Sequence, residues 1–409
     1  MNEDLQLEPE AKYGIVGKVL DLYSQTEPCE ASILFPFLTV AGNIIGDKVF
    51  IYEAGVNHSG RLFTVIVGKS SKGRKGTAWS YVKELIYEII PEYAQNNIAT
   101  GLSTGEGLIE AVKDDLIIKK KNKKTNIEEE EVVRGVDDKR LLFFQGEFSR
   151  VLRVMQRDTN TLADVVREAW DYGNMSVKTK NNPLKATGAH VSIIGNITQR
   201  ELGHRLTQVD RENGFANRFL WISSYRKLIV PRGVKLDLNS KERLKFDLID
   251  VLKKGDHQYF FSTEAALLYD EIYYKLARET PGMAGDILAR GEALILRISV
   301  IYAWLDKSEK IEIHHLRAAL ACYNYFEKSV FQIFGDSFGD WRVDKLWKAI
   351  KSRKEINMTE VYLLFNNKIT EEELNEIFEV LIGYDLIEFE TQKTGIGRPI
   401  EIVKIKITK

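Results

Sequence analysis

The spacing of apolar positions divides the chain into alternating strands and helices up to about residue 235 and almost continuous helix beyond about 240. Residues 11–46 place Ile15, Val19, Leu20, Leu22, Leu34, Phe35, Leu38 and Val40 at helical spacing and stop near Gly46. Two β-rich runs, 49–52 and 62–67, flank the polar turn NHSGR, and a helix over 78–90 ends before Pro91. Strands are expected at LLFF (141–144), HVSIIGNIT (190–198) and FLWISSY (219–225), with helices after the first of these and over 161–170. Strands separated by helices imply an α/β layer structure with a largely parallel sheet.

Beyond 240, helices are expected over 244–252, 264–278, 293–305 and 313–334. GDSFGDW (335–341) reads as a linker. The last stretch, 341–409, has the order of a winged helix: helices 343–352, 358–365 and 371–384, then a hairpin turned at TGIGRP. The expected organisation is an N-terminal helical region (1–48), an α/β core (49–235), a helical lid-like region (236–335) and a winged-helix-like domain (341–409).

Composition narrows the classes. A chain of 409 residues with 44% hydrophobic and 29% charged residues can bury a sizeable core, and a net charge of -1 gives no global attraction for nucleic acid or membrane. Cys29 and Cys322, far apart, form neither a disulfide framework nor a metal cluster, which fits a reducing cytoplasm. The polar start MNEDLQLEPE is unlike a signal peptide, and the apolar run 293–305 carries an arginine and is too short to span a bilayer. No membrane role is expected. KKKNKKTNIEEEE (119–131) reads as a solvated loop or a pair of charged hairpin arms.

The candidate chemistry begins at VIVGKSSKGRKGTAW (65–79), a strand, a glycine loop and a helix in the order a phosphate site needs. Close glycines let backbone N–H groups face an anion at a helix N-terminus. Gly68, Gly73 and Gly76 supply the flexibility, Lys72, Arg74 and Lys75 the charge, and Thr77 or Ser71 a hydroxyl for Mg²⁺. One residue separates Lys75 from Thr77, so a bulge at Gly76 is expected if both are to act on one ligand. Lys75 is the favoured phosphate cation, with Arg74 and Lys72 as rivals. About 70 residues on, LLFFQGE ends in Glu147, suited to activating water, while Gln145 occupies a position where an acid would help. Asn196 ends another strand and is placed to orient a water. Arg218, or its competitor Arg211, stands before a buried strand, as a trans-acting finger or a structural ion pair.

These residues lie in stretches that resemble a family of P-loop proteins of plasmids, prophages and integrated elements, often joined to or encoded near primase-polymerases and described as RepA-like or AAA+-like helicase domains. The stretches are VGKSSKGRKGTAW, GLSTGEGLI (101–109), 141–173, HVSIIGNITQREL (190–202), NGFANRFLW (213–221) and, more loosely, 289–306. They run in order over about 50–330, and RKGT is a loop variant known in that family.

The resemblance implies a RecA/AAA+-like P-loop core that binds ATP and Mg²⁺ and belongs to a helicase-like or helicase-loader-like replication protein. Its implied partners are DNA, single-stranded or at a fork, further copies of itself in an oligomer such as a ring, and a primase. It gives Lys75 and Thr77 the phosphate and metal roles, Glu147 the water-activating and metal-side role, Asn196 the sensor role and Arg218 the finger role. Arg290 or Arg297 would be a second phosphate sensor. The alternative is a nucleotide-binding structural or regulatory protein with little turnover. In the last stretch, Lys393, Arg398, Lys404, Lys406 and Lys409 make a basic wing able to meet DNA phosphates, whereas five glutamates between 371 and 379 make the helix before it repel DNA, which leaves DNA contact by the wing alone or contact with a protein.

Overall fold

The helical spacing of 11–46 is interrupted once. A 3-10 turn (Pro9–Lys12) leads into α1 (Gly14–Leu22), and after a bend comes α2 (Ala31–Ile45), closed by Gly46 at φ 76°. Every residue of α2 from Ala31 to Ile44 is buried, because a helix apolar on all sides belongs inside a core. β1 (Val49–Glu53) and β2 (Val56–Ser59) form an antiparallel hairpin turned at Ala54 and Gly55, with φ 49° and 82°. Two successive positive φ values close a two-residue turn. The NHS of the expected turn therefore lies in β2, and the turn falls earlier.

From here the chain lays down parallel strands. β3 (Phe63–Gly68), α3 (Lys75–Ile89), α4 (Pro91–Asn96), β4 (Ile98–Ala99) and α5 (Gly105–Glu110) come first. An excursion of β5 (Leu116–Lys121) and β6 (Glu128–Val133) precedes β7 (Arg140–Gln145), α6 (Phe148–Met155) and α7 (Leu162–Asp171). A small hairpin, β8 (Met175–Val177) and β9 (Leu184–Ala186), leads to β10 (His190–Ile197), α8 (Gln199–Arg205) and β11 (Phe219–Ser224). The central sheet has the order β11-β3-β10-β7-β4, and all its pairs are parallel. β3, β10 and β11 are buried at every position, as in a sheet covered on both faces. The described ends of the charged block pair as hairpin arms, with Lys119 opposite Glu130 and Lys121 opposite Glu128; 122–127 lie outside the described residues.

The computed structural model describes residues 5–121, 128–157, 159–177, 183–206, 210, 213–278, 280–335, 337–392 and 400–406. The chain forms two compact units, 1–278 with 287–333, and 279–286 with 334–409. The helices 238–251, 263–276, 291–305 and 313–334 belong mostly to the first unit, and β12 (His257–Tyr259) extends its hairpin sheet by pairing parallel to β1. The helix Gly291–Leu305 is buried along nearly its whole length. It is a core helix, and 287–333 belongs to the same unit as the α/β core.

In the second unit a helix (Trp341–Arg353), β13 (Glu355–Asn357), helices Met358–Leu364 and Glu371–Gly383, β14 (Ile387–Gln392) and β15 (Ile400–Ile405) follow one another. Its strands pair antiparallel in the order β13-β15-β14 over a core of Val343, Leu346, Ile350, Leu374, Ile377 and Val403. Among the described residues no helix is long and apolar enough to cross a membrane.

Candidate functional site

A parallel sheet sends every strand's carboxyl end to the same edge, where loops and helix N-termini collect. At this edge an open cleft of about 980 Å³ lies beyond β3, β10 and β7, lined by Lys75, Thr77, Glu147, Asn196 and Glu201 among others. Its first wall is the glycine loop. Gly73 cannot carry a side chain, since a Cβ would stand 2.8 Å from the carbonyl oxygen of Lys69. The loop turns through Ser71 and Arg74, both in the left-handed region at φ 52° and 51°. Ser224 at the end of β11 anchors it, its hydroxyl donating to the Gly73 carbonyl at 3.1 Å.

Lys75 opens α3 and reaches back across the loop. Its ammonium donates to the carbonyls of Gly68 (2.7 Å) and Lys69 (3.1 Å). Burial pulls its pKa below the ordinary lysine value, against the Glu201 carboxylate, which acts to raise it. The helix ladder begins with Ala78 N–H donating to the Arg74 carbonyl, which leaves the N–H groups of Lys75, Gly76 and Thr77 outside it. Gly76 lies within α3, so the expected bulge at Gly76 is absent. The loop's irregularity sits earlier, at Ser71 and Arg74, and Lys75 and Thr77 both line the one cleft from the first turn of α3.

The opposite wall comes from β7 and β10. Glu147 follows β7 as the exposed N-cap of α6, with no capping hydrogen bond to its own helix. Asn196, almost fully buried, stands on β10 level with Ile66 of β3. β10 lies between the other two strands, so Asn196 falls between Lys75 and Glu147. Gly195 makes this possible, because a Cβ there would meet the Phe148 ring at 2.6 Å. Trp79 of α3 stacks on Phe144 of β7, ring centres 4.6 Å apart, and both line the cleft.

Several expected residues are elsewhere. Arg218 precedes β11 and so lies at the amino edge of the sheet, roughly 17 Å from the loop by strand rise. It is 6% exposed, ion-paired to Asp171 at 2.6 Å and bonded to the Gly214 carbonyl. A finger must reach a neighbour's phosphate; in this chain the guanidinium is buried and paired, which is the geometry of the structural ion pair. Arg290 is 3.7 Å from the same Asp171, and Arg297 is fully buried against Trp170, so neither sensor candidate faces the cleft. Lys72 is exposed and does not line the cleft, and Arg74 lines it while paired to Glu27 at 2.5 Å. Arg211, Lys393, Arg398 and Lys409 lie outside the described residues.

Gln145 does not fill a vacant acid position in the cleft. Adjacent strand residues face opposite sides, and Phe144 takes the α3 side. With its amide oriented toward donors, the Gln145 oxygen accepts from the N–H groups of Leu102 (2.9 Å) and Gly101 (3.0 Å), tethering the loop after β4.

The residue that sequence reasoning missed is Glu201. It forms a capping box with Thr198 at the start of α8, accepts from Ser149 at 3.3 Å and lines the cleft. The Thr198 hydroxyl is the main cause holding its carboxyl below the usual range. The spacing T-x-x-E at 198–201, directly after the Asn196 strand, was the available signal. No protein-family model matches the chain, and no curated protein matches it.

Proposed function

We propose that the first unit is a P-loop ATPase of the RecA/AAA+ kind, and that the protein uses ATP to act on DNA as an oligomer in the replication of a mobile element. The observation that carries the ATPase reading is the convergence of Lys75, Thr77, Glu147 and Asn196, from three strand ends, on one open cleft. The residues fit Mg-ATP. The glycine loop folds tightly on itself, with no room for a Cβ at Gly73, α3 presents three N–H groups outside its ladder, and Thr77 and Glu147 are oxygen donors of the kind Mg²⁺ takes. Bound Mg²⁺ would supply charge neutralisation at the phosphates.

Lys75 holds the terminal phosphates from the loop, while Asn196 orients a water against the outermost one. Glu147 accepts a proton from that water as its oxygen attacks the phosphorus. The bond to the diphosphate oxygen breaks, releasing ADP and phosphate. The DNA role is supported by the resemblance and by the second unit's order of helix, strand, two helices and hairpin, a winged-helix-like order.

A second reading is favoured by the burial of Arg218: nucleotide binding that holds an assembly or docks a primase, with little turnover. ATP turnover measured with and without single-stranded DNA, beside a mass measurement of the oligomer, separates the two. The ATPase reading expects DNA-stimulated turnover that Lys75→Ala and Glu147→Gln abolish. Tight ATP binding without turnover in the native protein would select the second.

A further inference from the structure

Arg74 is the least settled residue of the loop. Its φ of 51° lies in a region side chains rarely adopt, and its guanidinium is held by Glu27, from the segment between α1 and α2. The Arg74 Nε is 2.5 Å from Glu27 Oε2, yet this buried nitrogen has no well-aimed hydrogen bond. Glu27 does not depend on it. Its Oε1 accepts from Val230 N–H at 3.1 Å and has Arg226 at 3.8 Å, while its carbonyl accepts from Lys227 and Leu228. Losing Arg74 therefore leaves Glu27 tied to the segment after β11. Arg74 also lines the cleft, one residue before Lys75.

We infer that Arg74 is a second phosphate-binding cation of this cleft, held back by Glu27 and released to the terminal phosphate of a bound nucleoside triphosphate. The inference rests on the nucleotide reading of the cleft. Exchanging this ion pair for a bond to a phosphate oxygen is favourable, since Glu27 keeps Val230 N–H and Arg226 beside it and charge-assisted bonds to phosphate are strong. The terminal phosphate is what distinguishes triphosphate from diphosphate, so the exchange makes the loop prefer ATP to ADP.

The test is calorimetric titration of the full chain with AMP-PNP and with ADP, each with Mg²⁺. The variants are Glu27→Gln, Arg74→Asn, their combination and Lys75→Ala. Asparagine tolerates positive φ, so Arg74→Asn removes the charge without refolding the loop. Glu27→Gln is expected to tighten AMP-PNP about threefold to tenfold and ADP less. Arg74→Asn should weaken AMP-PNP about tenfold, and in the double variant the gain should vanish.

If the wild type binds AMP-PNP and loses it with Lys75→Ala, but Glu27→Gln changes nothing or its gain survives without Arg74, the exchange is wrong and the nucleotide site stands. A wild type that binds neither nucleotide overturns both. Should Glu27→Gln fail to fold by circular dichroism, Arg74→Asn decides alone: an unchanged ratio of AMP-PNP to ADP affinity refutes the role.

Discussion

At the carboxyl edge of the central sheet, Lys75 and Arg74 stand at a cleft of about 980 Å³; at the amino edge, Arg61, Arg218 and Arg297 are buried around Trp170. The Arg297 guanidinium lies 3.5 Å from the Trp170 ring centre, and both Arg61 and Arg297 donate to the Trp170 carbonyl, at 3.2 and 3.0 Å. Asp171 is the carboxylate that pairs with Arg218 and approaches Arg290. Cationic side chains thus do two jobs in one domain. Where cations border the open cleft, as Lys75 and Arg74 do, a ligand can reach them. Where carbonyls and a ring surround them, they join α7, the start of β3 and the helix 291–305 into one core.

The contrast breaks most sharply at Arg218. Arg218→Ala leaves Asp171 with its close partner gone, and the expected cost is about 3 kcal/mol of stability, read by urea unfolding, with nucleotide affinity unaltered. A large loss of affinity without a loss of stability would return Arg218 to the site. At the other edge the pattern should reverse. Lys75→Ala is expected to weaken ATP binding about a hundredfold, or about 2.7 kcal/mol, with little change in unfolding midpoint.

Acid should act on the amino edge. Burial, then the Arg297 charge, pushes the His58 pKa down to about 4. Burial, then Arg61, takes His190 well below its ordinary value. Both histidines are held neutral in the fold, whereas an unfolded chain takes up protons near 6.5, so stability falls as pH drops below that value. The expected loss between pH 7 and 5 is at most about 1.4 kcal/mol per pH unit for each histidine, and His190→Asn should flatten it. The smallest effect is expected at Ser224, whose hydroxyl joins Ser32 at 2.7 Å to the Gly73 carbonyl. Ser224→Ala should cost about 1 kcal/mol and loosen the loop, seen as faster amide exchange over 69–74.

Much of this was legible in the chain. Phe63–Gly68, His190–Ile197 and Phe219–Ser224 are apolar runs too long and too β-branched or aromatic to be exposed, and each became a fully buried strand. The three helices and hairpin of the second unit are also legible to within a few residues, because caps such as Asn357 and Thr370 mark their starts. The hairpin turn at Ala54 is not, since positive φ at an alanine has no compositional signal. Arg218 could have been placed by direction alone. In a parallel sheet, residues just before a strand and residues just after one lie at opposite edges, so Arg218 and Lys75 had to separate once FLWISS ran parallel to FTVIVG. Gln145 obeys the same logic: alternation puts it across the sheet from Phe144.

Local chemistry in the sequence determined the strands, the glycine loop, the lysine at the helix start and the polar tips of 141–147 and 190–196, because each depends on a few neighbouring side chains and on backbone sterics. Which of these meet was decided by the sheet order, which puts β10 between β3 and β7 and so sets Asn196 between Lys75 and Glu147. The third dimension also decided which cations face the cleft. A side chain's freedom to bind a ligand depends on what distant segments already offer it: Glu27 for Arg74, Asp171 for Arg218, and the Trp170 carbonyl for Arg297.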